Sequence, residues 1–149
     1  HPISARTGDG CPAFMNALVA CLPEGPAQYP PDQVSTVSLR FMVSEIIREK
    51  LFLRLEQELP YGVAVDIENW EEDAAHGLTT ISAVIYVARK SHKPMVIGKG
   101  GLGLKSVGSE ARQEAQELLG GKVRLELWVK VREDWTEEPG FLLTLGFSH

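Results

Sequence analysis

The residues best suited to chemistry are Val96-Ile97-Gly98-Lys99-Gly100-Gly101, followed closely by Leu104 and Lys105. A Gly-x-x-Gly turn lets the main chain come close to a sugar-phosphate backbone, because no Cβ intervenes and a helix starting after it offers free N–H groups at its positive end. Lys99 and Lys105 add cations at the same place. Taken alone, such a turn more often does nothing but join two helices. Its setting argues for more. Helical patterns lie on both sides, strands lie beyond them, and Ala88 to Arg112 holds Arg89, Lys90, Lys93, Lys99, Lys105 and Arg112 against Glu110 alone. That window carries +5, the rest of the chain −10 and the whole −5. A basic segment on an acidic body has a polarised field that can orient a polyanion.

The same glycines also spell Gly98-x-Gly100-x-x-Gly103, a formal dinucleotide-binding fingerprint. A site of that kind needs a full strand directly before the first glycine and a further βαβ frame. Met95-Val96-Ile97 behind Pro94 is too short to be that strand, so the match is read as accidental.

The elements that must position the turn follow from periodicity. Asp32 is a candidate N-cap for a long helix reaching Leu59, with Leu39, Met42, Val43, Ile46, Ile47, Leu51, Leu55 and Leu59 on one stripe and Pro60 as its stop. Val63, Val65 and Ile67 alternate with polar positions, and Ile81, Ala83, Ile85 and Val87 repeat the pattern after an acidic loop at Glu71 to Gly77, which reads as a hairpin. Beyond a basic turn at Arg89 to Lys93, Pro94 opens a short helix that Gly98 ends. Leu104, Val107, Ala111, Ala115 and Leu118 mark an amphipathic helix closing at Gly120-Gly121, then Val123 to Val131 alternates as the third strand, and a terminal helix is expected around Trp135 to Leu145. Before all this, Phe14, Leu18, Val19 and Leu22 form an apolar helical patch, and Pro23, Pro26, Pro30 and Pro31 a stiff connector that places a domain boundary near residue 31.

Composition bounds the function. A chain of 149 residues, 44% hydrophobic and 23% charged, buries a core without disulfides or metal, and no apolar run approaches the roughly 18 residues of a membrane-spanning helix. Cys11 and Cys21 are expected as free thiols. His76 and His92 lack partners at ligand spacing, so no metal site is expected, and no Ser/His/Asp arrangement or catalytic residue emerges. Tyr86 and Trp128 share the strand parity opposite to the core set and are read as covering a lightly buried sheet face rather than as a base-stacking platform. Glu45, Arg48, Glu49 and Lys50 are read as a wet helix face. The start at His1, without Met and without signal or transit character, is what a chain cut from something longer would show.

Four separated runs, Arg40 to Leu51, Glu58-Leu59-Pro60-Tyr61, Val96 to Gly101, and Leu125-Glu126-Leu127-Trp128-Val129-Lys130-Val131, together resemble the C-terminal KH domain of the Era family of bacterial GTPases over Gln33 to Phe147. Pro2-Ile3-Ser4-Ala5 with Gly8 and Gly10 is similar to the last guanine-contacting motif and final helix of such a protein's GTPase domain. The resemblance implies an α+β fold, a type II KH domain with a three-stranded sheet packed with helices on one face. It divides the chain into residues 1–31, a GTPase-domain remnant plus linker, and residues 32–149, the KH domain with a C-terminal helix.

The resemblance further implies single-stranded RNA binding at the 3′ end of small-subunit ribosomal RNA, in the service of 30S subunit assembly, in the cytoplasm. DNA is not expected, and peripheral membrane association would come only through the full-length family. Carried onto matching positions, Gly98, Lys99, Gly100 and Gly101 clamp the RNA backbone, with Lys105 adding charge, while Val96, Ile97, Leu104 and Val107 shape an apolar floor; Val107 is assigned mainly to the core. Ser4 and Ala5 would be the guanine-contact remnant. GTP and Mg2+ are the full-length family's cofactors, and none is expected here: the chain has no Gly-x-x-x-x-Gly-Lys-Ser/Thr loop and no Asn-Lys-x-Asp, so neither tight GTP binding nor hydrolysis is expected. Members often carry basic residues where Gly100 and Gly103 stand, which predicts weak, steeply salt-sensitive binding. The alternative from another class is a protein-interaction module that uses the acidic helix and exposed aromatics.

Overall fold

Residues 1–26, 37–55 and 62–145 are described by the computed structural model. They fall into two compact units, His1–Thr36 and Val37–His149. The expected Pro30/Pro31 connector, the Asp32 cap and the Leu59/Pro60 stop lie outside the described residues.

In the first unit a tight loop precedes helix α1 (Cys11–Cys21). Ser4 organises the loop: its N–H donates to the Asp9 carbonyl at 2.9 Å, its carbonyl accepts from Gly8 N–H at 2.8 Å, and its Oγ accepts from Thr7 N–H at 3.3 Å. Gly10 caps α1 at φ 72°, where a Cβ would lie 2.3 Å from the Pro2 carbonyl oxygen, so only glycine fits. α1 buries no residue, and Met15, Leu18, Val19 and Leu22 stand exposed.

The second unit begins with α2 (Leu39–Arg54), capped by Ser38, whose side chain accepts from Phe41 N–H at 3.2 Å. Leu55 is already extended, at φ −90° and ψ 137°, so the helix is shorter than its apolar stripe suggests. Strands β1 (Val63–Asp73) and β2 (Leu78–Val87) pair antiparallel from Val63 opposite Val87 to Asp73 opposite Leu78, with a bulge between Ile67 and Asn69. Glu71 to Asp73, expected as loop, are strand. Ladder bonds to Thr80 and Thr79 hold them there while their side chains stay in solvent.

Helix α3 (His92–Ile97), one 3-10 turn (Lys99–Gly101) and α4 (Leu102–Leu119) form the crossover to β3 (Lys122–Val131), which runs parallel to β2. The sheet order β1-β2-β3 leaves β3 as an edge. This is the expected order of helix, two strands, two helices and a strand.

Alternation decides the core. Val63, Val65, Ile81, Ile85 and Val87 meet Val43, Ile47 and Leu51 of α2 and Val107, Ala111 and Ala115 of α4 on one face of the sheet. Each large side chain so buried contributes about 1.5–3 kcal/mol. The expected terminal helix is in two pieces, a 3-10 turn at Trp135–Glu137 and α5 (Pro139–Thr144). Pro139, having no N–H to bond backward, can start a helix and cannot continue one. These pieces cover the end of the sheet's other face: Trp135, Phe141 and Leu145 bury Ala64, and Tyr86 meets Phe141 edge-on at 5.0 Å. Arg132 lies over the Phe141 ring at 3.7 Å and pairs with Glu138 at 2.5 Å.

Candidate nucleic-acid interface

Gly98 ends α3 at φ 73° and ψ 173°, a conformation closed to side chains. A Cβ there would meet Gly103 N at 2.8 Å, and one at Gly103 would meet the Val96 and Ile97 carbonyl oxygens at 3.1 Å. The end of α3 and the first turn of α4 therefore interlock backbone to backbone. Gly100 and Gly101 differ, since nothing lies within 4 Å of the Cβ position of either. Their φ values of 59° and 79° set a bare ledge of main chain, held by Gly101 N–H donating to the Gly98 carbonyl at 3.1 Å.

Beside the ledge runs a groove of about 460 Å³ between α4 and the edge strand β3. Gly101, Leu104, Lys105, Gly108, Ser109 and Arg112 line it from the helix, Leu125 and Leu127 from the strand. At 100° per residue the five α4 positions share one flank of the helix, and Gly101 of the 3-10 turn continues it. The groove thus has an apolar strip, two cations and a hydroxyl.

The electrostatics separate this region from the rest. Arg48, Lys50, Arg54, Arg124, Lys130 and Arg132 each lie within 3.0 Å of a carboxylate oxygen. Two carboxylates hold the Lys50 ammonium well above the usual lysine range, Glu114 more than Glu49. In contrast, Arg89, Lys90, Lys93, Lys99, Lys105 and Arg112 have no ion-pair partner among the described residues. Arg6, Arg40 and Lys122 are likewise without an ion pair among the described residues, so the segment that carries the ledge and the groove wall holds six of nine such cations.

Of the residues singled out in the sequence, Gly98 to Gly101, Leu104 and Lys105 lie together at the ledge and the head of the groove. Val96 does not join them. It is 3% exposed and belongs to the core, because the one buried face of a six-residue helix points at the sheet. Ile97 is half-buried against the same core and does not line the groove, and Val107 is buried as assigned. Ser4 and Ala5 sit in the first unit, Ser4 closing its loop and Ala5 exposed. Sequence reasoning missed Gly108, Ser109, Arg112, Leu125 and Leu127 as groove residues. The signal was present for the helix members, at spacings of seven, eight and eleven from Gly101, but the strand that faces them is set by tertiary pairing.

Other candidates resolve differently. Tyr86 packs on Phe141, and burial pushes its phenol upward from the ordinary value. Trp128 remains 47% exposed, but Lys130 and Arg124, of the same strand parity, are bonded to Glu68 and Glu126 at 2.7 and 2.9 Å. Glu45 is likewise occupied by Arg48 at 2.7 Å. Met95 to Ile97 lie in helix α3 rather than a strand, so the dinucleotide fingerprint has no frame.

A KH-domain family model matches residues 58–136, covering the hairpin, the ledge, α4 and β3. The chain belongs to the KH-domain family. Its KH domain and the residues before it are also similar to longer proteins. The chain is 59% identical over 145 residues to the GTPase Era of Desulfovibrio desulfuricans, covering 97% of this chain and 47% of that protein. To the GTPase Era of Rhizobium meliloti it is 50% identical over 146 residues, 98% and 46% of the two chains. Among solved structures, Era in complex with MgGDPNP and nucleotides 1506-1542 of 16S ribosomal RNA superposes with a TM-score of 0.93 at 37% identity, over 99% of this chain and 49% of that one. Aquifex aeolicus Era bound to GDP.AlF4- gives the same TM-score and identity. The chain thus spans about half the length of the relatives it matches, and the α+β KH fold and the Era resemblance read from its sequence both stand.

Proposed function

We propose that this chain is the RNA-binding part of an Era-type GTPase, and that its α4–β3 groove takes single-stranded RNA from the 3′ end of small-subunit ribosomal RNA. The observation that carries the reading is a bare glycine ledge carrying Lys99, beside a groove lined by Lys105 and Arg112, all three without an ion-pair partner among the described residues, on a chain whose net charge is −5. Backbone phosphates lie along the ledge, contacted by Gly100 N–H and by Lys99, and unstacked bases turn into the groove against Leu104, Leu125 and Leu127. Lys105 and Arg112 hold phosphates at its rim. The similarity to an Era structure containing 16S ribosomal RNA supports the choice of ligand.

GTP and Mg2+ do not fit this chain alone. Ser4, at the resembled guanine-contact position, has its N–H and carbonyl bonded to Asp9 and Gly8, and no cluster of three metal-ligating side chains exists among the described residues. Nucleotide chemistry is assigned to the other half of the longer protein. The chain's work would then be done in the cytoplasm on the assembling 30S subunit. Peripheral membrane contact is assigned to the full-length protein only.

The deciding experiment measures fluorescence anisotropy of a labelled RNA spanning 16S nucleotides 1506–1542 at low salt, against the wild-type chain and the variant Lys99→Asp with Gly100→Asp. Saturable binding that the variant loses supports the reading. Equal binding by both would move the clamp elsewhere, and binding of single-stranded DNA as tight as RNA would remove the preference for RNA.

A further inference from the structure

Strand β3 is the last in the sheet, and half of its main-chain groups have no partner among the described residues. Lys122 N–H donates to the Gly77 carbonyl at 3.2 Å and Arg132 N–H to the Val87 carbonyl at 3.0 Å, so the even-numbered residues bond toward β2. The alternate residues, Val123, Leu125, Leu127, Val129 and Val131, aim their N–H and C=O groups away from it. Proteins protect such edges with bulges, prolines or inward-pointing charges. β1, the opposite edge, has its bulge between Ile67 and Asn69. β3 has none of these: its register against β2 is unbroken from Lys122 to Val131, it contains no proline, and its helix-facing side chains are all apolar. On its other face Arg124 and Lys130 are already paired with Glu126 and Glu68. A long, regular, unprotected edge is a template for another strand.

The groove decides which strand fits. Lys105 and Arg112 of α4 line it above this edge without a carboxylate partner among the described residues. Seven helical residues separate them by about 10 Å along the axis. Side chains at positions i and i+4 of an extended chain share a face about 13 Å apart, a difference that flexible side chains take up. We propose that β3 is a β-augmentation site for an extended acidic peptide: its main chain bonds Val123 to Val129, carboxylates at i and i+4 pair with Lys105 and Arg112, and an apolar residue at i+2 lies against Leu125 and Leu127. A second copy of this chain does not suit the edge, because a twofold pairing of β3 would set the same unpaired cations against each other. The site does not depend on the RNA reading, but it shares the groove, so peptide and RNA exclude one another.

Amide hydrogen exchange is read by NMR on the full chain with and without a blocked peptide, threonine-glutamate-threonine-valine-threonine-glutamate-threonine, at about 1 mM. The expected result is at least about tenfold slower exchange at Leu125, Leu127 and Val129, with Glu126 and Trp128, already bonded to β2, changing far less. Two N-methylated peptides are compared, one methylated on glutamate and valine, the other on threonine. One of them, and not the other, should lose binding at least about tenfold, because alternate amides of a strand face its neighbour. Lys105→Ala combined with Arg112→Ala should weaken the parent peptide at least about tenfold. Unchanged exchange at Leu125, Leu127 and Val129 overturns the proposal. So does equal binding by both methylated forms, which would leave an electrostatic contact without a strand, or unaltered affinity in the double variant. Slowing of these amides by the RNA of 16S nucleotides 1506–1542 and not by the peptide gives the edge to RNA and overturns the peptide site.

Discussion

Helix α4 has two polar flanks on either side of its buried stripe, and they are built in opposite ways. On one, Ser106, Glu110 and Glu114 meet α2: Arg54 pairs with Glu110 at 3.0 Å and bonds Ser106 at 2.5 Å, and Lys50 pairs with Glu114 at 2.5 Å. On the other, Lys105 and Arg112 line the groove with Ser109 between them and have no carboxylate partner among the described residues. A charge whose partner is within the protein closes a seam between two helices, whereas one without an internal partner remains available for an external anion. The position of the positive charge says little about function until one asks whether it is already neutralised.

That contrast can be broken most forcefully at the ledge. Replacing Lys99 and Gly100 by Asp removes one cation, adds two anions and places side chains where the main chain is bare. At low salt it should weaken RNA binding by at least about 100-fold. Both positions are exposed, but Gly100 stands at φ 59°, so the Asp side chain there also costs about 1 kcal/mol of stability, read as a melting temperature lower by a few degrees. Arg112→Ala should cost about tenfold and reduce the slope of log affinity against log salt by about 0.7, the value for one phosphate on a single strand. The seam should answer in the other currency. Glu114→Gln leaves RNA affinity unchanged and lowers stability by about 1 kcal/mol in denaturant unfolding, because the pair is half-exposed and Lys50 keeps Glu49 as a second partner.

Asp66 sharpens the comparison from the acidic side, with the smallest effect. Burial and then the Glu68 charge raise its carboxyl above the ordinary range. Folding therefore disfavours its charged form, so the penalty is absent below the unfolded pKa and complete once pH has risen through the folded one. Asp66→Asn should stabilise the protein at neutral pH and leave it unchanged near pH 3; thermal melts at the two pH values check the sign.

Much of this was legible from residue types. The alternation of Val123 to Val131, the stripe of Val107, Ala111 and Ala115, and the glycine run after Ile97 each depend on local periodicity or on a conformation only glycine adopts readily, and all were placed correctly. What failed depended on partners distant in sequence. Glu71 to Asp73 have loop-like side chains but inherit strand geometry from Thr79 and Thr80. Val96 is two residues from the first glycine yet faces the sheet, because a six-residue helix has a single buried face. The Trp135 to Leu145 stretch looked like one helix until Pro139 divided it. The groove's second wall was invisible because Leu125 and Leu127 looked like ordinary strand residues, and only the parallel pairing of β3 with β2 brings them opposite α4.

The interlock of Gly98 with Gly103 has a kinetic meaning. Because the two backbones touch where side chains would otherwise separate them, the shape of the ledge is inherited from the folding of α3 and α4 and need not be found again at each encounter with a ligand. A pre-set jaw loses little entropy on closing over its target, so even a modest number of phosphate contacts can be expressed almost fully as affinity.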